Sequence, residues 1–182
     1  MGIFTRAKES LQSKIWWRRL GINILWLLTI IFAAEWFQAR NHPSGQLDPI
    51  FLKPLARLDG ASSPLIESQD PLTLVYAFAP WCGVCRMTAE DLNDLGGVVT
   101  VKPLALSWES QESIKQFVTE ASLSAPVFLG DDRIHGRNLK IEAFPSYYLV
   151  DAKGKVLYSW VGYSTTWGII SKSLLFKNFL ID

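Results

Sequence analysis

The chain has 182 residues, 49% of them apolar and 19% charged, with a formal net charge of +1. That length fits one domain plus an appendage, and the near-balance of charge gives no electrostatic case for a nucleic-acid surface. Only two cysteines are present, three positions apart, which excludes a scaffold of several intramolecular disulfides and a zinc site of four thiolates from one chain.

The mean hydropathy of +0.15 is high for a chain this charged and points to one apolar segment set apart from the domain. Residues 20–34 are uncharged, and four of the eight tryptophans (Trp16, Trp17, Trp26 and Trp36) lie before residue 40. With flanking aromatics the run spans 16–37, which as a helix covers roughly 33 Å, enough for a bilayer core of about 30 Å. Trp16 and Trp17 mark one interface, Trp36 and Phe37 the other. Arg6, Lys8, Lys14, Arg18 and Arg19 precede the run and oppose one Glu9. This bias predicts a cytoplasmic segment over 1–19, a transmembrane helix over 20–38 and everything beyond on the far side. Cleavage after Ala33, Ala34 or Ala39 places Ile31, Phe32 or Phe37 at the third position before the cut, so an uncleaved anchor is expected.

Residues 39–56, rich in Pro and Gly, read as a tether, and 57–182 as the domain. Leu58-Asp59-Gly60 between short apolar stretches at 53–67 predicts a small hairpin. The apolar run 72–79 predicts a buried strand. Residues 84–95 predict a helix with Met87, Leu92 and Leu95 on its apolar face, stopped by Gly96-Gly97. A strand over 98–106, a helix over 109–121 on Ile114, Phe117 and Val118, and a short strand over 126–130 follow. A brief helix is expected over 137–143. Asp151-Ala152-Lys153-Gly154 predicts a turn joining strands 146–150 and 155–161, and 167–178 closes as a helix. The order β-α-β-α-β-β-α predicts an α/β fold, a central mixed sheet flanked by helices.

Trp81-Cys82-Gly83-Val84-Cys85 falls where the buried strand ends and a helix begins. Free N–H groups and the positive end of the helix dipole favour an anion there, so the Cys82 thiol is expected below its ordinary value and fit to attack. Cys85, one turn on, lies within disulfide reach and can resolve a mixed disulfide. Gly83 is expected to leave room for the turn, Trp81 to shield one flank and Arg86 to add positive charge. Two soft thiolates also leave a copper(I)-handling role open. No other cofactor is expected beyond the Cys82–Cys85 pair, and no metal ligand set is assigned.

Trp81 to Cys85 resembles the thioredoxin active site, and Phe144-Pro145-Ser146 before a strand resembles that family's cis-proline loop. Gly162 matches the glycine closing its last strand. The resemblance covers residues 70 to 180 and implies a thioredoxin-like fold, a cis Phe144–Pro145 bond, and substrate binding along Phe144, Pro145 and Ser146. The anchored build is similar to the TlpA-like group. Residues 73–88, 98–108 and 161–170 resemble its suppressor for copper sensitivity protein D type, anchored in the bacterial inner membrane and facing the periplasm. That resemblance implies periplasmic protein thiols and disulfides as substrates and a membrane electron donor of the disulfide-reductase type. Three positions depart from relatives: Tyr76 stands where thioredoxin has a buried Asp, Thr88 where many cytochrome c maturation reductants have Glu, and Val84 where thioredoxin has Pro. A cytochrome c maturation reductant is therefore a weaker alternative.

Beside the motif, Tyr76 reads as a core residue with a role in tuning the cysteines as the alternative. Glu90 and Asp91 read as surface charges. His135 reads as a surface-loop residue with a ligand or base role as the alternative. Trp108 and Trp167 read as core or patch residues.

Overall fold

The computed structural model describes residues 16–27, 29–30 and 45–179, with side chains to Lys177. Two compact units are distinguished, Met1–Asn41 and His42–Asp182. In the first, residues 16–27 are helical (α1), as are 29–30. Among the described residues no helix is long and apolar enough to cross a membrane. Much of the expected span, residue 28 and residues 31–38, lies outside them.

The second unit holds a six-stranded mixed sheet in the order β1-β8-β7-β4-β5-β6 and a two-stranded hairpin. Its strands are β1 (Gly45–Gln46), β2 (Pro54–Ala56), β3 (Ser62–Pro64), β4 (Leu72–Phe78), β5 (Thr100–Ala105), β6 (Phe128–Leu129), β7 (Ser146–Asp151) and β8 (Lys155–Val161). The helices are α2 (Gly83–Ala89), α3 (Gln111–Glu120) and α4 (Thr166–Phe179). The central strand β4 is buried at every position. It runs parallel to β5 and antiparallel to β7, so both edges of its backbone are paired and both its faces are covered. That is why its sequence is a continuous apolar run rather than an alternation.

Alternate β4 residues feed two cores. Leu72, Leu74, Tyr76 and Phe78 face α2, α3 and α4 through Cys85, Ala89, Ile114, Phe117 and Ile169. Val75 and Ala77 face the other way, toward Leu47, Phe51, Leu65, Ile66 and Leu139. This second cover is largely irregular chain, not the helix that a sandwich of helices around a sheet implies. Part of it comes from the segment expected as a tether: from Gly45 onward that segment is built into the unit. Gly45 pairs with Val156, and Phe51 is 1% exposed. Residues 39–44 of the expected tether lie outside those described. Its Pro and Gly content reflects a non-repetitive backbone packed by a few large apolar side chains.

The predicted hairpin forms as β2 and β3. Asp151 accepts from the backbone N–H of Lys153 and Lys155 at 2.9 and 2.8 Å, and Gly154 has φ +80°, so the predicted β7–β8 turn is fixed by its own residues. The predicted helix 84–95 divides into α2 and a 3-10 segment, Glu90–Leu95. One side chain is corrected: the buried face of α2 runs through Cys85, Thr88 and Ala89 and continues to Leu92 and Leu95, leaving Met87 70% exposed. The helix expected over 137–143 begins earlier, with a π-helical turn Asp132–Gly136.

Candidate active site

Strand β4 delivers the chain to Ala79, and Cys82 then caps α2. Cys82 and Cys85 form a disulfide with Cα atoms 5.2 Å apart. Both are shielded, but unequally: Cys82 retains 7% exposure and Cys85 none. The Cys85 backbone N–H donates to the Cys82 sulfur at 3.1 Å, so the exposed sulfur sits against one of the unpaired donors of the helix start. Gly83 corrects the expected reason for its presence. A Cβ there meets nothing within 4 Å, so the turn does not require glycine; its missing side chain instead leaves open space beside the disulfide.

The flanking residues group as follows. Trp81, 66% exposed, donates its indole N–H to the Ser107 carbonyl at 3.0 Å and meets Phe144 edge-to-face at 5.9 Å. Val84 is exposed on α2. Arg86 donates to the Pro80 carbonyl at 3.2 Å and pairs with Glu120 at 3.5 Å. Its charge is thereby shared with a carboxylate rather than offered whole to the cysteines. The Phe144–Pro145 peptide is cis, as the thioredoxin resemblance implied. The loop is held from both sides: Ser146 Oγ donates to the Ala143 carbonyl at 2.7 Å, and Gly162 N–H donates to the Pro145 carbonyl at 2.8 Å. Gly162 has φ +92°, a conformation that favours glycine.

Beneath the disulfide, Tyr76 and Thr88 meet. Tyr76 is fully buried. Its hydroxyl donates to the Cys85 carbonyl at 3.0 Å and lies 3.2 Å from Thr88 Oγ1. Two sequence departures noted separately are thus one contact, and Tyr76 is a core residue that also touches the cysteine backbone. Burial raises the Tyr76 phenol well above its ordinary value and pushes that of Tyr147, packed against it, up to about 12. Both are neutral at physiological pH. Asp91, read as a surface charge, accepts from Thr166 Oγ1 at 2.9 Å and ties the start of α4 to the segment after α2. Trp108 is half-buried, with its indole on the Gly130 carbonyl, and Trp167 is 80% exposed.

Two clefts open beside Trp81. One of about 590 Å³ is lined by Leu106, Ser107, Asp132, Arg137, Ile141 and Phe144 among others. The second, about 220 Å³, is lined by Trp81, Arg86, Ser107 and Trp108 among others. The importance of Ser107 and Asp132 was not legible in the sequence. Asp131-Asp132 ahead of a polar run is a helix-start signal, and recognising it would have put the helical turn in its place.

His135 corrects the surface-loop expectation. It is 6% exposed, its Nδ1 accepts from the Asp131 N–H at 3.0 Å, and its ring meets Phe51 edge-on at 5.6 Å. Burial lowers its pKa from the ordinary value, against the opposing pull of Asp131. The unfolded chain therefore takes up this proton first as pH falls. The stabilisation is complete above an unfolded value of about 6.5 and is lost as pH drops toward the lower folded value. Urea midpoints at pH 7.5 and 5.0 are expected to differ more for the native chain than for His135→Gln. Equal pH dependence of the two refutes that assignment. Among the described residues no group of three or more His, Cys, Asp or Glu is placed to hold a metal.

The comparisons with known proteins agree with this geometry. The solved structure of a secreted Mycobacterium tuberculosis disulfide oxidoreductase homologous to E. coli DsbE matches with TM-score 0.60 and 15% identity, over 70% of this chain and 98% of that one. StoA from Bacillus subtilis matches with TM-score 0.55 and 18% identity, over 65% and 92%. A secreted thiol-disulfide isomerase from Corynebacterium glutamicum matches with TM-score 0.60 and 19% identity, over 73% and 86%. At such identities these likenesses establish the thioredoxin-like fold. No curated protein matches the sequence. The AhpC/TSA family model matches residues 49–159, more than half of the chain. With its Cys82–Cys85 redox pair on a thioredoxin-like sheet, the chain belongs to the AhpC/TSA family and is a thioredoxin-like disulfide oxidoreductase.

Proposed function

We propose that the chain is a membrane-anchored thiol–disulfide oxidoreductase that works outside the cytoplasm on protein disulfides, with Cys82 as nucleophile and Cys85 as resolving thiol. The observation that carries the roles is the unequal burial of the pair: 7% for Cys82 and none for Cys85. In the reducing direction the Cys82 thiolate attacks a substrate disulfide. A Cys82–substrate bond forms and one substrate sulfur leaves as thiolate. Cys85 gives up its proton and attacks Cys82, closing the Cys82–Cys85 bond and releasing the second substrate thiolate. The substrate gains two electrons and the pair loses them, so a dithiol donor must reduce the pair again. For an exported domain that donor is a membrane disulfide reductase. Of the cis-proline loop, Phe144, part-exposed and against Trp81, is the surface for extended substrate chain, while Pro145 and Ser146 are buried and hold the loop.

The exported location rests on the apolar, tryptophan-flanked run at 20–38 and the basic residues before it. Two of the proteins with similar structures are secreted, which supports it. The chain's sequence resemblance to the suppressor for copper sensitivity protein D type supports a place in the bacterial inner membrane with the domain in the periplasm.

The test uses the full-length chain in cells quenched with acid. Cys85→Ala is expected to accumulate mixed disulfides in the membrane fraction, and Cys82→Ala, which keeps Cys85, none. Adducts that persist without Cys82 refute its assigned role, and full-length protein in a soluble fraction refutes the anchor.

A further inference from the structure

Ser107 stands at the meeting point of the two clefts beside Trp81. Its backbone is in the left-handed region, φ 50°, although it is not glycine. Two hydrogen bonds to one carboxylate hold it there. Its N–H donates to Asp132 Oδ1 at 2.8 Å and its hydroxyl to Asp132 Oδ2 at 3.0 Å. Both are charge-assisted and together fix the residue in two directions. The Ser107 carbonyl then receives the Trp81 indole N–H at 3.0 Å.

Asp132 is itself anchored. It opens the π-helical turn Asp132–Gly136, a rare conformation that gathers at functional sites. The preceding Asp131 caps that turn by accepting from the Ile134 N–H at 2.9 Å, while its own N–H is held by His135. Buried His135 thus holds Asp131, the peptide link carries that anchoring to Asp132, and hydrogen bonds run from Asp132 through Ser107 to an indole that is mostly exposed. An exposed tryptophan with one polar contact and one edge contact has little else to fix its orientation.

We propose that Asp132 is a positioning residue for polypeptide recognition: through Ser107, the residue that lines both clefts, it holds the Trp81 indole, which lines the smaller one, as the partition at their junction. The chain on either side of a substrate's disulfide is received by separate pockets. The cleft of about 590 Å³ borders Phe144 and takes the segment along the cis-proline loop. The cleft of about 220 Å³ takes a side chain against Trp108. Small disulfides, which have no flanking chain, do not use the partition. The inference rests on the exchange reaction assigned above and names how that site selects its substrates.

The experiment compares reduction of insulin with reduction of bis(2-hydroxyethyl) disulfide by the full chain, with dithiothreitol as electron donor and the uncatalysed rate subtracted. In Asp132→Ala the ratio of the two kcat/KM values is expected to fall about tenfold, a scale set by misplacement of a binding group, with the loss in KM for insulin. Asp132→Asn keeps an acceptor for the Ser107 N–H and is expected to recover most of the ratio. Ser107→Gly relieves the left-handed backbone while loosening the contact. It is expected to lower the ratio with no loss of melting temperature, which separates positioning from folding. The Trp81 emission, taken as the difference from Trp81→Phe, is expected to shift in Asp132→Ala. An unchanged ratio in Asp132→Ala, or both rates falling together with the melting temperature, overturns the proposal. If the native chain reduces neither disulfide, the assigned reaction itself fails.

Discussion

Tyr76→Asp is expected to destabilise the domain by about 3–5 kcal/mol, from the cavity left by a large buried side chain together with an unpaired buried charge. Against a typical total of roughly 5–15 kcal/mol this is enough to unfold a marginal domain. The ring is fully buried, stacked on Phe78 at 5.6 Å and tilted against Tyr147 at 5.2 Å. Aspartate leaves that space empty. Its short carboxylate stops well before the position of the Tyr76 hydroxyl, so the bond to the Cys85 carbonyl and the contact with Thr88 are both lost. Tyr76→Phe keeps the ring and loses the hydroxyl, so its cost is expected near 1 kcal/mol, the worth of one hydrogen bond. Urea denaturation of the three proteins checks both values. A Tyr76→Asp protein within 1 kcal/mol of the native one disproves the account.

This expectation also says what the departure from thioredoxin at this position means. Thioredoxin carries an acid there; this chain carries a neutral phenol, and Thr88 stands close enough to bond to it. The polar contact with Cys85 is kept, through its backbone carbonyl, without a titrating carboxylate. Restoring the acid alone does not restore the relative's site, because the ring, the threonine and the Tyr147 contact form one packed unit.

Much of the fold is legible in the sequence where a local rule and the tertiary environment agree. The continuous apolar run of β4 signals a strand buried on both faces. Asp151 to Gly154 signals a turn because the carboxylate bonds backbone two and four residues on, and Gly154 supplies a positive φ. The Trp81 to Cys85 motif announces the site because its chemistry needs little beyond a strand end and a helix start.

Misreadings arise where long-range packing decides. Proline and glycine at 39–56 say only that the backbone is irregular. That Phe51 fills the second core depends on β4 presenting Val75 and Ala77 to the face that α2, α3 and α4 do not cover. Met87 has the residue type of a core position but not the phase, since the buried face of α2 runs through Cys85, Thr88 and Ala89. Polar neighbours made His135 look exposed, and its burial depends on Phe51, 84 positions earlier. The bond between Ser107 and Asp132 joins residues 25 apart across two loops, a separation at which local pattern carries no information.

Cys82→Ser is expected to lower disulfide exchange at least about a thousandfold, the largest effect of any single change. A hydroxyl is far less ionised than a thiol near neutral pH, and the thiolate is the attacking species. Cys85→Ser is expected to retain the first attack and lose release, since Cys82 keeps its partial exposure while Cys85 is fully enclosed. The same asymmetry governs a simpler probe. In the reduced chain, iodoacetamide is expected to modify Cys82 at least about a hundredfold faster than Cys85, because access and thiolate character both select the cysteine at the helix start. Its sulfur lies against the Cys85 N–H, a donor that favours the charged form. Single-turnover mixing with a disulfide peptide separates attack from release, and mass spectrometry of the alkylated chain locates the modified residue. Equal labelling of the two cysteines, or a first attack lost equally in both variants, removes the basis for assigning different roles to the pair. If the expected asymmetry holds, the one-turn step from Cys82 to Cys85 separates a thiol that meets the substrate from one that only meets its partner.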